Sequence, residues 1–535
     1  MSSADARLPN ELRGVHPLVQ SRRLKERALL AASVVLPLVL ALAVAVEVKK
    51  PSIVLVVGVL AAAVSIVALV VSTRYEISVV VVILYLGLLE GYAKLGTGSH
   101  QAAAALRDVL IVAICLGAGA RILSSREKIR FPPLTGWVMA WIGVVAVEAF
   151  NPKTGSFLHV IGGYSQQLEW VPFFFFAYAL IRTRTRFRAL ILVMGVVALA
   201  NGAVSAYQYR LSPHALAAWG PGYRELVLGV GEEGQKGGLA ARTFSSEGEA
   251  RVRPPALGTD AGFGGGVGGI ALPATLALLA TGTLRRRWPV IFLSLGAILG
   301  IVTGLGRLQV VGSVLAVMAF IALSFSAGRR VTRPLAAIFL IIVLTVPVIA
   351  VLVAVEGGGG FSRYTSIEPE NAVGSKDKKT GSLEHIPAAI AEVPFGEGLG
   401  TVGAVAGLGG KTSHSTVEGK GLSAETEYNF IVDEVGLPGL VVWVAFTIRL
   451  LVLGVKSLRR VPDLEIRIYM AALFASFIAL TIEGFSGPTT TSAALGPFFF
   501  MFAGLSSYWF LGPGRDVPRD MSFGAPTSTP AAVAA

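Results

Sequence analysis

The sequence predicts an all-α protein, a polytopic bundle of about 12–14 transmembrane helices with a large extracytoplasmic loop that contains short helices. Hydrophobic residues make up 53% of the 535-residue chain and charged residues only 15%, whereas soluble domains contain about 25% charged residues. Apolar runs of bilayer length recur along the chain and are continuous rather than alternating. Because a backbone in lipid satisfies its hydrogen bonds only within helices or closed barrels, such runs favour helices.

Fourteen apolar segments are candidate membrane spans. The pattern predicts a cytoplasmic N-terminal segment at residues 1–27, eleven spans and an outer loop near 208–263 within residues 28–355, and the large outer loop at residues 356–427. Residues 428–512 hold the last three spans, and residues 513–535 form a cytoplasmic tail whose Pro, Ser, Thr and Ala content predicts disorder. The segments lie at residues 28–46, 52–72, 77–95, 102–123, 133–150, 168–181, 189–207, 264–284, 288–304, 308–327, 334–355, 435–455, 467–485 and 491–512.

Charge sets the predicted orientation. The formal net charge is +13, but nucleic acid is not an expected partner, because the basic residues occur in short clusters between apolar runs, where the positive-inside rule accounts for them. This rule places both termini in the cytoplasm and the two long polar loops outside, with Lys49 and Lys50 as an exception on the predicted outer side. The orienting clusters are Arg121, Arg126, Lys128 and Arg130; Arg182, Arg184, Arg186 and Arg188; Arg285, Arg286 and Arg287; Arg329, Arg330 and Arg333; and Lys456, Arg459, Arg460 and Arg467.

Ionisable side chains at membrane depth are costly and are therefore functional candidates. For each of them a paired or interfacial structural role is also open, and Arg107 and Asp108 could neutralise other groups in the bundle. These residues are Glu90, Arg107, Asp108, Glu148, Glu169, Arg449 and Glu483. The chain has one cysteine, Cys115, no zinc-ligand spacing and no phosphate loop, so the sequence predicts no metal, nucleotide or other cofactor.

Arg307 is the first candidate for substrate binding. It lies in a glycine-containing break between two predicted spans, on the predicted outer side. A guanidinium group suits bidentate contact with phosphate oxygens, although a charge that only marks the helix turn is the structural alternative. Three arginines of the outer loops offer the same chemistry, namely Arg242, Arg253 and Arg363.

Acid–base candidates lie in the large outer loop. Glu425 precedes a predicted span, where partial burial could tune a carboxylate to act as a general base; its structural alternative is to cap the helix that starts near Glu427. His385 is the reserve base, within a segment from Ser382 to Val393 whose spacing predicts a short amphipathic helix. Tyr428, one helical turn after Glu425, is a candidate for contact with the substrate.

At these residues the chain resembles the superfamily of O-antigen ligases and O-antigen polymerases. Arg307 matches an arginine that opens a span in that family, and Pro394, Gly396, Gly398 and Gly400 match a Pro-x-x-Gly-x-Gly-like turn in its large periplasmic loop. Three predicted spans then follow a last motif, which Tyr428, Glu434, Gly436 and Gly439 match. The resemblance covers roughly residues 240–510. Glu425 and Thr426 stand where the family has histidine and asparagine, and eleven predicted spans precede the loop where the family is expected to have nine.

The resemblance implies a metal-independent, inverting membrane glycosyltransferase of the bacterial cell membrane. Its donor would be a polyprenyl-diphosphate-linked glycan, and its acceptor a glycan, lipid or protein. Two other functions stay open for the sequence: a secondary transporter of a small solute, because many spans with embedded charges also describe that class, and a non-catalytic protein of envelope assembly. Transporters usually place their coupling residues at mid-membrane, whereas the candidates here cluster at one face.

Overall fold

The computed structural model of the protein describes residues 75–98, 100–125, 131–228, 243–246, 249–282, 287–325, 381–402, 416–417, 420–421, 426–485, 487–489, 492 and 495–515. Apart from two short antiparallel hairpins, the elements in this part of the chain are helices, which confirms the predicted fold class. The helices are α1 (Tyr75–Leu88), α2 (Glu90–Thr97), α3 (His100–Ser125), α4 (Thr135–Glu148), α5 (Phe157–Leu168), α6 (Pro172–Leu180), α7 (Arg184–Tyr209), α8 (Pro213–Ala217), α9 (Pro221–Leu228), α10 (Phe263–Thr281), α11 (Trp288–Thr303), α12 (Arg307–Phe325), α13 (Gly381–Glu392), α14 (Glu427–Ser457), α15 (Leu464–Glu483) and α16 (Gly496–Trp509). The hairpins pair β1 (Thr243–Ser246) with β2 (Glu249–Val252) and β3 (Thr416–Val417) with β4 (Lys420–Gly421).

The helices overlap the predicted spans. The segments at 28–46, 52–72 and 334–355 lie outside the described residues, and each of the others overlaps a helix or a helix pair. Within the described ranges, five helices, α7, α10, α12, α14 and α15, are long and apolar enough to cross a membrane, and the pair α1 and α2, bent by 43°, would be a sixth. Helix α6 has only nine residues, fewer than the roughly 20 that cross a bilayer, so the predicted span at 168–181 is not one straight helix.

Helix α10 lies at the centre of the bundle and packs against α7, α11, α12 and α15. Its sequence begins with a glycine run, and small residues let helix backbones approach closely. A Cβ atom added at Gly268 would collide with the carbonyl oxygen of Ala297 in α11, and one added at Gly202 of α7 would collide with that of Gly296. The run therefore packs helices together, as part of α10, and is not a phosphate loop.

One end of the bundle, which we call the basic end, gathers several of the predicted basic clusters. Arg188 at the start of α7 makes two hydrogen bonds of 2.7 and 2.9 Å to Glu465 at the start of α15. Arg184 forms an ion pair with Asp463, whose carboxylate also caps α15 by accepting from the amide of Ile466. These contacts confirm that the two clusters share one end, whereas its cytoplasmic location stays a prediction.

Candidate functional site

A turn of alternating glycines, residues 394–400, lies against α14 at the end of the bundle opposite the basic end. Gly396, Gly398 and Gly400 have φ values of 79°, 92° and 70°, a left-handed region that glycine adopts without strain. The amide of Glu397 donates to the carbonyl oxygen of Asp433 at 2.7 Å, and the amide of Leu437 donates to that of Pro394 at 2.8 Å. We call residues 394–400 the glycine turn.

Helix α14 is broken where it meets the glycine turn. Gly436 has φ 67° and ψ −166°, which no α-helix contains, and its backbone lies directly against Phe395 and Gly396. A Cβ atom at Gly396 would in turn collide with the backbone of Glu434 and Gly436. The two glycine-containing segments that carry the resemblance are therefore packed together as one unit. They are distant in sequence: 36 positions separate Pro394 of the glycine turn from Phe430 in the first turns of α14.

Glu434 connects this unit to α5 through side-chain hydrogen bonds. Its side chain is fully buried, and Gln166 donates to Oε1 at 3.0 Å while Gln167 donates to Oε2 at 2.7 Å. The amide of Val402, just after the glycine turn, donates to Oε1 at 3.4 Å. A buried carboxylate is stable only when its oxygens are hydrogen-bonded, and these donors supply that need. We call these four residues the Glu434 clamp.

Two further contacts hold the glycine turn from the side of α4 and α5. Asn151 donates to the carbonyl oxygen of Gly396 at 3.2 Å and to the carboxylate of Glu148 at 2.9 Å. Gly163 of α5 lies against Leu399 and Gly400, where a Cβ atom would collide. Asn151, Gln166 and Gln167 are site residues that the sequence reasoning missed, although a Gln pair beside an apolar run is a signal that could have been used.

Asp433 is a further residue that the sequence reasoning missed. Its side chain is 2% exposed, and neither carboxylate oxygen has a hydrogen-bond partner among the described residues. The carboxylate of Glu397 lies near enough to interact with it electrostatically. Buried polar groups without partners are rare in native proteins, so Asp433 is the most unusual carboxylate of this end of the bundle.

The first turn of α14 docks on the end of α15. Thr426 is the N-cap, since its hydroxyl accepts from the amide of Asn429 at 3.2 Å. The amide of Glu427 donates to the carbonyl oxygen of Gly484 at 2.9 Å, and the Tyr428 ring lies 4.9 Å from the Phe485 ring, centroid to centroid. Thr426 therefore holds the N-cap position of α14, while Glu425, for which a charge near this helix N-terminus was the structural alternative, lies outside the described residues.

Arg307 is the first residue of α12 and follows a tight break in which Leu305 has φ 54°. Its Nε atom is buried and has no hydrogen-bond partner among the described residues. Helix α12 packs on α15, with Gly312 beside Ala479 and Ile482. Arg307 therefore lies at the same end of the bundle as Gly484 and the first turn of α14.

The structure describes only some of the other predicted site residues. Arg253 follows β2 and is partly buried, and the carbonyl oxygen of the next residue, Pro254, accepts from the amide of Gly262 at 3.1 Å. His385 lies within α13, whose bounds, Gly381–Glu392, confirm the predicted amphipathic segment. Arg242, Arg363 and Glu425 lie outside the described residues.

A network of charged side chains, of which only Asp108 is substantially exposed, lies beside α5. Arg107 of α3 donates to Glu90 at 2.8 Å and to Asp108 at 3.2 Å, and it forms an ion pair with Glu169. Its guanidinium also stacks 5.3 Å from the centre of the Trp170 ring. This arrangement confirms that Arg107 neutralises other groups in the bundle. We call Arg107, Glu90, Asp108 and Glu169 the Arg107 network.

In the part of the chain that the structure describes, the glycine-turn end combines Arg307, whose Nε has no hydrogen-bond partner, with several carboxylates, which suits a ligand that carries both phosphate and hydroxyl groups. Among the described residues, no group of three or more His, Cys, Asp or Glu side chains could hold a metal ion. No family model, curated protein or solved structure matches the chain.

Proposed function

We propose that this protein is a metal-independent glycosyltransferase that polymerises or ligates polyprenyl-diphosphate-linked glycans on the outer face of a bacterial cytoplasmic membrane. One observation carries the proposal: the glycine turn and the Glu434–Gly439 segment, which resemble separate motifs of the O-antigen ligases and polymerases, pack backbone to backbone. Motifs that merely resembled the family by chance would have no reason to meet. Arg307 stands at the same end of the bundle, which supports its proposed contact with the donor.

In the proposed reaction, an acceptor hydroxyl attacks the anomeric carbon of the donor glycan. A new carbon–oxygen bond forms as the bond from the anomeric carbon to the diphosphate breaks, and the polyprenyl diphosphate leaves. Glu425 accepts the hydroxyl proton, with His385 as the reserve base, and attack opposite the leaving group inverts the anomeric centre. Arg307 stabilises the charge that accumulates on the diphosphate, assisted by Arg253, Arg242 or Arg363, and Tyr428 contacts the glycan.

A specific observation favours one other candidate, a secondary transporter. The break between α1 and α2, bent by 43°, lies beside the buried Glu90 of the Arg107 network, and broken helices with buried charges mark transporter binding sites. We prefer the glycosyltransferase proposal. It accounts for the glycine-turn motifs through the resemblance, whereas a transporter function gives these motifs no role.

The test is a reconstitution assay with a synthetic polyprenyl-diphosphate-linked oligosaccharide as the only donor. We expect longer glycans and free polyprenyl diphosphate with the wild-type protein, and a loss of at least about 100-fold with Arg307→Ala. Arg307→Lys keeps the charge but loses the planar fork, so it should also impair the reaction. Arg224→Ala, which removes an exposed arginine of α9, is the matched control and should react normally. Full activity of Arg307→Ala, or uptake of solute without glycan formation, would reject the proposal.

A further inference from the structure

Helix α5 carries two sets of polar contacts on neighbouring residues. Gln166 and Gln167 hold Glu434 of α14, at 3.0 and 2.7 Å. Ser165 donates to Asp108 at 3.4 Å, and Glu169, the residue after the last turn, pairs with Arg107. Four of the five positions 165–169 therefore connect the Arg107 network with the Glu434 clamp.

Apolar packing alone fixes α5 weakly. The helix has 12 residues, and Phe157, Leu158 and Ile161 are 76%, 56% and 50% exposed. Its buried positions are Gly162, Gly163 and the polar residues His159, Gln166 and Gln167, and the two side chains that pack against the apolar core, Tyr164 and Leu168, are only partly buried. Apolar contacts are also non-directional, whereas hydrogen bonds and ion pairs hold a defined position. The polar contacts at its C-terminal end thus decide where Gln166 and Gln167 lie.

Arg107 is the anchor of those contacts. It is the one member of the Arg107 network that touches all three carboxylates, of Glu90, Asp108 and Glu169, and its side chain is 11% exposed. Breaking a buried ion pair by removing one partner is strongly destabilising to the local structure. Glu90 has a second partner, since Lys94 pairs with it at 2.5 Å. The other neighbour of Glu169, Asp108, is an acidic side chain like Glu169 itself, so loss of Arg107 would affect Glu169 and α5 more than α2.

We infer that Arg107 is a positioning residue for the glycine turn: through Glu169 it holds α5 in the register at which Gln166 and Gln167 bind Glu434. Arg107 lies outside residues 240–510, so the part of the chain without resemblance to the transferases would set the geometry of the part with it. The inference goes beyond the proposed function, because it concerns the seating of the glycine turn and holds whichever reaction or transport the site performs.

The test measures the protection of a buried position beside the glycine turn. Thr401 follows the glycine turn and is 9% exposed, and Ser457 at the basic end is 4% exposed. In a Cys115→Ala background, the full-length protein carries either Thr401→Cys or Ser457→Cys as the reporter thiol, and the rate of thiol labelling is measured in detergent solution. Gln167→Leu, which opens the Glu434 clamp directly, is the positive control for the first reporter.

We expect Arg107→Met to raise the labelling rate of the Thr401→Cys thiol by about tenfold and to leave that of the Ser457→Cys thiol unchanged, since local opening exposes only the segment that loses its contacts. The matched control is Arg188→Met, which removes an arginine bonded to Glu465 at the basic end and should leave the Thr401→Cys rate unchanged.

An unchanged rate at the Thr401→Cys thiol would overturn the inference, and so would equal acceleration at both reporters, because that result describes general loosening. If Arg107→Met does not accumulate, Arg107→Lys is measured instead. It retains a cation but only one compact donor group, so a rise of about threefold at the Thr401→Cys thiol alone is expected, and no rise would overturn the inference. Glycan formation is not a readout here, so this result is separate from the test of the proposed function.

Discussion

Gly396 and Gly436 lie backbone to backbone, both with positive φ, and neither position has room for a Cβ atom. A side chain at either glycine would strain its own backbone and separate the glycine turn from α14. We predict that Gly436→Ala lowers the free energy of unfolding by about 2 kcal/mol or more, from the left-handed backbone and the collision together. The measurement is the midpoint of thermal unfolding in detergent.

The control for this prediction is Gly143→Ala. Gly143 lies within α4, and a Cβ atom there would meet nothing within 4 Å. Alanine in a helix interior is favoured over glycine by about 1 kcal/mol, so the control should be neutral or stabilising. Equal destabilisation by both substitutions would contradict the close contact of the two backbones.

The Glu434 clamp predicts that replacing the Glu434 carboxylate by an amide lowers the stability of the protein. In Glu434→Gln, the new amide nitrogen cannot accept from Gln166 or Gln167, so one buried donor loses its acceptor, at a cost of about 1–3 kcal/mol. The double variant Glu434→Gln with Gln167→Glu exchanges the two groups and should recover part of this loss. Thermal unfolding of four proteins, the wild type, Glu434→Gln, Gln167→Glu and the double variant, measures the effect, and strict additivity of the two substitutions would show that the residues do not interact.

For Asp433 we predict that substitution raises the free energy of unfolding, the opposite of the effect at Glu434. Since neither of its oxygens has a partner among the described residues and Glu397 is near, Asp433→Asn should keep the packing and raise the free energy of unfolding by about 1 kcal/mol. Asp463→Asn is the comparison, because that carboxylate caps α15 and pairs with Arg184, so its loss should destabilise. If Asp433→Asn stabilises the protein but abolishes glycan formation, Asp433 belongs to the reaction as well.

For Glu425 we predict that substitution lowers product formation without lowering the abundance of the protein in membranes. As the proposed base it should contribute roughly 100-fold or more to the rate, so Glu425→Gln should reach normal abundance in membranes and lose product formation, whereas Glu425→Asp should retain more. Because Thr426 is the N-cap of α14, little loss of stability is expected from either change. Near-normal product formation by Glu425→Gln would show that Glu425 is not the general base, and His385 would then be tested in the same way.

The orientation can be tested at two exposed lysines at opposite ends of the bundle. Lys153 lies between α4 and α5, beside Asn151 and hence the glycine turn, and Lys456 lies near the end of α14, at the basic end. In a Cys115→Ala background, an impermeant thiol reagent applied to cells should label Lys153→Cys and spare Lys456→Cys, as the positive-inside rule predicts. Permeabilised cells, in which both should react, are the control. The reverse pattern would invert the orientation.

The sequence predicted the features that depend on local pattern. Continuous apolar runs gave the helices, the spacing from Ser382 to Val393 gave α13, and glycines around Leu305 marked the break before Arg307. The Gln pair beside an apolar run could have marked Gln166 and Gln167 as candidates, but their contact with Glu434 was not predictable, because they lie 268 and 267 positions away and their approach depends on how α5 packs. The burial of Asp433 was missed for the same reason, since a carboxylate beside a predicted span is read as interfacial until its neighbours are known.

The break in α14 has a consequence for the fit of the protein to its bilayer. Beyond Gly436, residues 437–457 of α14 would extend about 31 Å at 1.5 Å per residue, close to the hydrocarbon thickness of about 30 Å. The turns before the break, which carry Glu427, Asp433 and Glu434, would then stand above the hydrocarbon. Gly436 thus sets the height of these groups relative to the lipid headgroups, and thicker or thinner membranes should change that height by tilting the lower segment.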